Sequence, residues 1–410
     1  MPNSVTIRLC IMMFLNFVIW GCWYVTIGTY LTATLKFSGT QTGAIFGTTA
    51  LASMISPLIV GRIADRYFST ERVLSVIHLL GALLLYLVTL VTNFQAVYVL
   101  MFLYCLLFFP TLALTTAITL KHVPDARRFP LIRVFGTIGW IVIGLCIGRL
   151  GIEASVTPFL IASACSVLMA IFCLFLPHTP PSNQSSKFSV RETFGLDALV
   201  MFKDRAYAVF LIASVLACIP LTFYFSFTNA FLNDVGVANA AGKMTLGQFS
   251  EVFVMLAMPV IFRKLSVRGI LLLGLAAWSA RYALLAFGNS ADRMWMFYLA
   301  IVLHGVCYDF FFMTGQMYTD QEAPAASRNT AQGLYTFMTY GVGMFIGSFL
   351  SGITVDLFST KTADGITRNW NSFWITSSVA ALVLLLVFAF LFKSRRMIQN
   401  KEEAVLTEVA

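Results

Sequence analysis

Apolar runs of roughly 20 residues recur along this chain, and a run of that length is what a bilayer span requires. Inside a bilayer no water satisfies backbone N–H and C=O groups, so each run must close its hydrogen bonds within itself, as a helix. Twelve such spans are expected, at 6–32, 40–62, 72–93, 96–121, 130–150, 154–176, 206–233, 243–262, 268–288, 293–318, 329–354 and 370–393. Of the residues, 59% are hydrophobic and 11% charged, against roughly a quarter charged in an ordinary soluble domain. The net charge of +9 does not point to nucleic acid, because it is scattered over short segments between the apolar runs rather than gathered in a basic stripe. The eight cysteines lie in or beside apolar stretches with no CxxC pair, so they read as helix-packing residues. No metal or cofactor is expected. The first run, from about Ile7 to Leu31, lacks a cleavage signal and reads as a retained span.

An even number of spans puts both termini on one side. Nineteen of the 27 lysines and arginines fall on that side, six fall on the other, and Arg133 and Arg281 lie inside spans. The bias makes both termini cytoplasmic. The longest polar interruption runs from Pro177 to Arg205 and begins with a Pro- and Ser-rich stretch, the composition of a flexible linker. Its end, Leu196–Lys203, is amphipathic and suited to the membrane surface. The expected division is therefore a six-helix bundle over 1–176, a linker over 177–205, a second bundle over 206–393 and a tail over 394–410.

The two halves are related at an offset of about 200 residues. Phe108-Phe109-Pro110 through Pro124 matches Tyr308-Asp309-Phe310 through Pro324, Arg128 falls opposite Arg328, and Thr29-Tyr30-Leu31 falls opposite Ala230-Phe231-Leu232. Ser56-Pro57 matches Met258-Pro259 with a two-residue slip. Parallel repeats of this kind describe the two halves of a major facilitator transporter, with substrate bound at the midplane between them. The fold class expected is an all-α membrane protein, twelve transmembrane helices in two pseudo-symmetric six-helix bundles. Gly61-Arg62-Ile63-Ala64-Asp65-Arg66, between spans two and three, resembles the GxxxDR signature of major facilitators. There Gly61 would permit close helix approach, while Asp65 and Arg66 would form an ion-pair latch at the cytoplasmic face. Charged loop residues that merely set topology are the alternative. The second-half counterpart, Val260 to Lys264, lacks the glycine and the acid.

An ionisable side chain at membrane depth costs at least a few kcal/mol, so each one is a candidate functional residue. Glu251 lies on the order of 12 Å from the outer end of span eight, Asp309 roughly 16 Å above the inner end of span ten, and Arg281 roughly 20 Å deep in span nine. Arg133 sits about one turn into span five. Helical spacing groups Arg133, Thr137 and Trp140 on one face, Gln248 with Glu251, Thr222 with Phe225 and Asn229, and His304 with Tyr308 beside Asp309. Such a lining offers aromatic planes and multidentate hydrogen bonding, which suits a polar solute with a flat ring. A carboxylate in a low-dielectric cavity can exchange a proton in the physiological range, so Glu251 and Asp309 are the expected proton carriers. Arg281 is expected in a structural ion pair with an acid on a neighbouring helix. His78 reads as structural, and Asn16, Gln316 and Asn329 as bonds between helices.

Several segments resemble the bacterial nucleoside:proton symporters of the major facilitator superfamily. They are Phe14-Leu15-Asn16-Phe17-Val18-Ile19-Trp20-Gly21-Cys22-Trp23, the stretch Phe129 to Trp140, Gly195-Leu196-Asp197-Ala198-Leu199, Gln248-Phe249-Ser250-Glu251 and Tyr308-Asp309-Phe310. The likeness runs from about Phe14 to Phe392 and is strongest to an enterobacterial branch. It implies import of nucleosides with protons across a bacterial inner membrane, and places Arg133, Thr137, Gln248, Glu251 and Asp309 at the nucleoside site. Departures from the pattern are Thr222 and Phe225 in place of a glutamine and an asparagine, His304 for a tyrosine, Tyr308 for a phenylalanine and Trp140 for another phenylalanine.

The chain is thus expected to be a monomeric transporter whose partners are a nucleoside, the proton and the lipid bilayer. A proton-coupled transporter of another polar solute, such as a sugar, is the alternative. A membrane enzyme lacks support, since no HExxH, GxSxG or clustered metal-ligand set occurs. A receptor is disfavoured by the repeat and by the lack of a sizeable soluble domain.

Overall fold

The computed structural model describes residues 4–123, 125, 128–181, 196–324, 327–362 and 365–393. Among these, twelve long helices lie where the twelve apolar runs are: α1 Ser4–Thr34, α2 Gly39–Arg66, α3 Thr70–Val88, α4 Phe94–His122, α5 Phe129–Leu150 and α6 Thr157–Cys173 in the first half. In the second half they are α7 Arg205–Asp234, α8 Ala240–Lys264, α9 Val267–Phe287, α10 Met294–Glu322, α11 Thr330–Leu357 and α12 Trp370–Leu391. Ten of the twelve are long and apolar enough to cross a bilayer; α6, at 17 residues, is shorter, and the 28-residue α2 carries a more polar run.

Local chemistry starts and stops these helices. Ser38 and Gln41 close a reciprocal capping box at the start of α2, the Ser38 hydroxyl accepting from the Gln41 N–H at 3.1 Å and the Gln41 amide oxygen accepting from the Ser38 N–H at 3.0 Å. Asn93, Asp204, Ser266 and Asn369 cap α4, α7, α9 and α12 through side-chain oxygens. Gly151 ends α5 in the left-handed region (φ 64°), open to glycine at no steric cost. Three helices contain π turns, Tyr30–Thr34 in α1, Asp309–Met313 in α10 and Phe337–Gly343 in α11. Outward faces carry exposed apolar residues such as Phe253, Leu256 and Phe390.

The interior divides in two. One buried cluster runs from Leu9 to Leu176 and takes only Ala241 from beyond that range; the other runs from Ala198 to Phe392. Each is the centre of one six-helix bundle, and the two bundles meet along α2 with α11, α5 with α8, and α1 with α7.

Two loops differ from the sequence expectation. The linker is not free from its first residue: Thr179 donates its N–H to Glu71 Oε2 at 3.0 Å, His178 Nδ1 lies 2.8 Å from Glu71 Oε1, and His122 Nε2 lies 2.9 Å from the Thr179 hydroxyl. A buried carboxylate at the start of α3 gathers these groups, so Pro177–Pro181 is strapped to α3 and α4. The amphipathic piece is a 3-10 helix, Leu196–Lys203. Between α11 and α12 the chain forms a hairpin, Ser359–Thr362 paired antiparallel with Gly365–Arg368, the exception to an otherwise helical fold. The expected latch falls partly outside what is described, at Gly61 and the Asp65 side chain; Arg66 is exposed, its guanidinium 5.6 Å from the Tyr67 ring centroid.

Candidate functional site

Between the bundles, at mid-depth, lies a cavity of about 260 Å³. From the first half it takes Phe17, Trp20 and Tyr24 on α1, Thr49 and Ser53 on α2, Phe109 on α4, and Arg133, Thr137 and Trp140 on α5. From the second it takes Phe225 on α7, Gln248 and Glu251 on α8, His304 and Tyr308 on α10, and Tyr340 and Met344 on α11. Eight of the ten residues expected to bind substrate therefore line one cavity: Arg133, Thr137, Trp140, Phe225, Gln248, Glu251, His304 and Tyr308.

Two of the ten stand elsewhere. Thr222 is buried, with its hydroxyl donating to the Cys218 carbonyl at 2.7 Å, and packs against α11 at Gly347. Although Thr222 and Phe225 are three residues apart, only Phe225 reaches the cavity, because neighbours at that spacing diverge by tens of degrees around the helix. Asp309 is buried at the first position of the π turn in α10 and is absent from the wall, and its Oδ2 finds no hydrogen-bond partner among the described residues. The charge of Glu251 nevertheless acts on Asp309.

The cavity is polar on facing sides and aromatic above. Arg133 and Glu251 come from opposite halves, and their charges interact across the space between. The Arg133 guanidinium also sits over the Phe17 ring, 4.2 Å from its centroid. Farther from the termini, Trp140, Tyr24 and Phe225 form an edge-to-face chain, with centroids 6.1 Å apart for Tyr24 and Trp140 and 5.8 Å for Tyr24 and Phe225. That chain links α5 to α1 to α7 and so bridges the halves as a roof. Tyr308 and Tyr340 join through their hydroxyls on the other side.

Arg281 is fully buried, but its partner is not the acid expected. Nη1 lies 3.0 Å from His304 Nδ1, and the guanidinium lies over the Tyr224 ring at 3.4 Å. Asn229, expected on the cavity face, is instead part of a clasp beyond the roof. It accepts from the Thr29 hydroxyl at 2.5 Å and donates to Glu153 Oε2 at 2.7 Å. Glu153, buried in the α5–α6 connection, also accepts from Asn233 Nδ2 at 2.8 Å and the Ala241 N–H at 3.0 Å. A second clasp stands at the same end, where Asp356 of α11 accepts from the Gly39 and Thr40 N–H groups that start α2, at 2.6 and 2.8 Å. Asn16 bonds to Thr111 at 3.1 Å, as expected of a bond between helices; His78 packs on Phe108; the Gln316 carbonyl accepts from Gln332; and the Asn329 side chain lies outside the described residues.

Sequence reasoning missed several cavity residues. Phe17, Trp20 and Tyr24 repeat at spacings of three and four along α1, a pattern that would have found them. Tyr340 lies in a π turn, where the ordinary helical period fails. Glu153 gave no signal, since one acid between two apolar runs looks like any loop residue.

A family described as nucleoside H+ symporter matches residues 3–397. The Escherichia coli K12 transporter YegT is 39% identical over 95% of this chain and 94% of its own length. The xanthosine permease of the same organism is 32% identical over 95% and 96%. The crystal structure of the nucleoside transporter NupG superposes with a TM-score of 0.88 at 30% identity, covering 96% of this chain and 100% of that one.

Proposed function

The chain belongs to the nucleoside H+ symporter family, as a multi-pass membrane transporter with the major facilitator fold and not an enzyme, and from that footing we propose how its own residues carry out nucleoside and proton symport. The nucleoside occupies the cavity between the bundles, its flat base against Trp140, Phe225 and Tyr308 and its polar edges on Thr137 and Gln248. Glu251 carries the proton. As a carboxylate it attracts Arg133 across the cavity and draws the halves together there; as a carboxylic acid it lets Arg133 turn to the substrate. Loading of substrate and proton is thereby coupled through one pair of side chains. Asp309, outside the cavity lining and responsive to the charge of Glu251, modulates that step.

The membrane is the bacterial inner membrane, and both termini lie in the cytoplasm. The clasps of Glu153 and Asp356 then close the periplasmic end, and the cavity communicates with the cytoplasm. Release of those clasps would open the other side, which is alternating access. The boundaries proposed are two bundles over 1–176 and 206–393 joined by the 177–205 linker, with a tail over 394–410, in a monomer.

The observation that carries this reading is the placement of a cationic and an acidic side chain, from different halves, in one aromatic cavity. Purified protein in liposomes with an inward-directed proton gradient should accumulate labelled uridine or adenosine, and unlabelled nucleoside should compete. Accumulation indifferent to the gradient would remove the proton from the mechanism, and absence of competition would remove the nucleoside.

A further inference from the structure

On the second-half wall of the cavity stands a histidine whose ring proton is assigned by the residue behind it. Arg281 on α9 is entirely buried, and its Nη1 lies 3.0 Å from His304 Nδ1. Its guanidinium lies 3.4 Å from the centre of the Tyr224 ring, and that ring is stacked on the His304 ring at 5.5 Å and 19°. Tyr224 and Arg281 thus hold the imidazole from its face and from one edge.

A guanidinium carries donors and no acceptor. His304 Nδ1 must therefore offer its lone pair to Arg281, which leaves the ring proton on Nε2. A doubly protonated ring would set N–H against N–H and one positive charge against another in a medium of low dielectric. His304 lines the cavity, and among the described residues its Nε2 makes no hydrogen bond and is not sealed away.

We propose that His304 is a fixed hydrogen-bond donor that reads a carbonyl oxygen on the nucleobase, and that Arg281 is the positioning residue that fixes its tautomer. The inference rests on the nucleoside reading above and narrows it to a class. Bases with a carbonyl at that edge are accepted, and bases with an amino group there set donor against donor and leave the Nε2–H unpaired. A flexible polar residue would accept either, whereas the imidazole locked by Arg281 cannot exchange roles.

The test has two arms. In protein reconstituted in nanodiscs with no nucleoside added, nitrogen-15 NMR of labelled histidine should show His304 with a protonated Nε2 and an unprotonated Nδ1. Arg281→Met should convert it to a mixture of tautomers, and Arg281→Lys should preserve the original. In the second arm, affinities are measured for the pairs uridine and cytidine, and inosine and adenosine. The carbonyl member of each pair should bind about tenfold tighter, His304→Phe should level the pairs, and Arg281→Met should shrink the preference while leaving carbonyl nucleosides within a few fold. A purely structural Arg281 would instead weaken all four alike. An Nδ1–H signal in the unmodified protein, or a preference that survives His304→Phe, would overturn the proposal. Failure of all four nucleosides to bind would strike at the nucleoside reading and the recognition half with it, while the tautomer half would still be decided by NMR.

Discussion

Glu251 and Asp309 are the two acids at membrane depth in the second half, yet they occupy different ground. One is in the cavity lining with Arg133, and the other is buried next to Tyr308 in the chain, with an oxygen that finds no partner among the described residues. Glu251→Gln should therefore abolish gradient-driven accumulation, a loss of tenfold or more, while exchange of labelled for unlabelled nucleoside across the membrane continues. Asp309→Asn should leave nucleoside affinity within a few fold and slow the coupled step, measured as initial uptake against gradient size. Trp140→Ala removes a plane from the roof, and loss of one aromatic contact to a base costs about 1–2 kcal/mol. A roughly five- to thirtyfold weaker affinity for nucleosides, read by calorimetry, is the expected outcome. Helical spacing made the Arg133, Thr137 and Trp140 face legible from sequence, because all three lie on one regular stretch of α5. It could not place Asp309, where a π turn breaks the period, nor pair Arg281 with His304, since the spacing within each helix says nothing about which helices meet.

Among the elements, the tightest crossings are those between the halves. A Cβ on Gly148 of α5 would stand 2.1 Å from Asn239 Oδ1 and 2.5 Å from the Gly242 nitrogen of α8, and one on Gly43 of α2 would stand 2.2 Å from the Ser348 carbonyl of α11. At both sites a backbone atom of the facing helix, the Gly242 nitrogen or the Ser348 carbonyl oxygen, stands within 2.5 Å, and backbone cannot yield as a side chain can. Gly148→Leu should wedge α5 from α8 and favour the form open at that end. Spin labels at the exposed Ala33 and Ser290 would report this as a longer distance population, and an unchanged distribution would count against the wedge. All twelve helices were visible in the apolar runs, because bilayer thickness fixes their length, and the boundaries differ by a few residues where caps extend them. The hairpin after α11 and the strapped start of the linker were hidden, since both depend on contacts distant in the chain.

At the scale of the whole molecule, the bundles are joined at the end opposite the termini by a short list of polar contacts, chiefly those of Glu153, Asp356 and the Thr29–Asn229 pair. Hydrogen bonds to a charged group contribute about 1.5–3 kcal/mol each, and a 1.4 kcal/mol change moves an equilibrium tenfold. Glu153→Gln, which turns an amide donor toward donors, should shift the resting population at least tenfold toward the opposite-open form, seen with the same pair of labels. Each half keeps its own buried cluster, the two crossed at Ala241 and at Val25 and Phe225, which pack against both. Durability and speed therefore answer to different residues. A substitution deep in either cluster should lower the melting temperature and spare the turnover rate, whereas one at the clasps should change how fast the carrier cycles at almost constant thermal stability. A lineage of such carriers can be retuned for a scarce or an abundant solute without putting folding at risk.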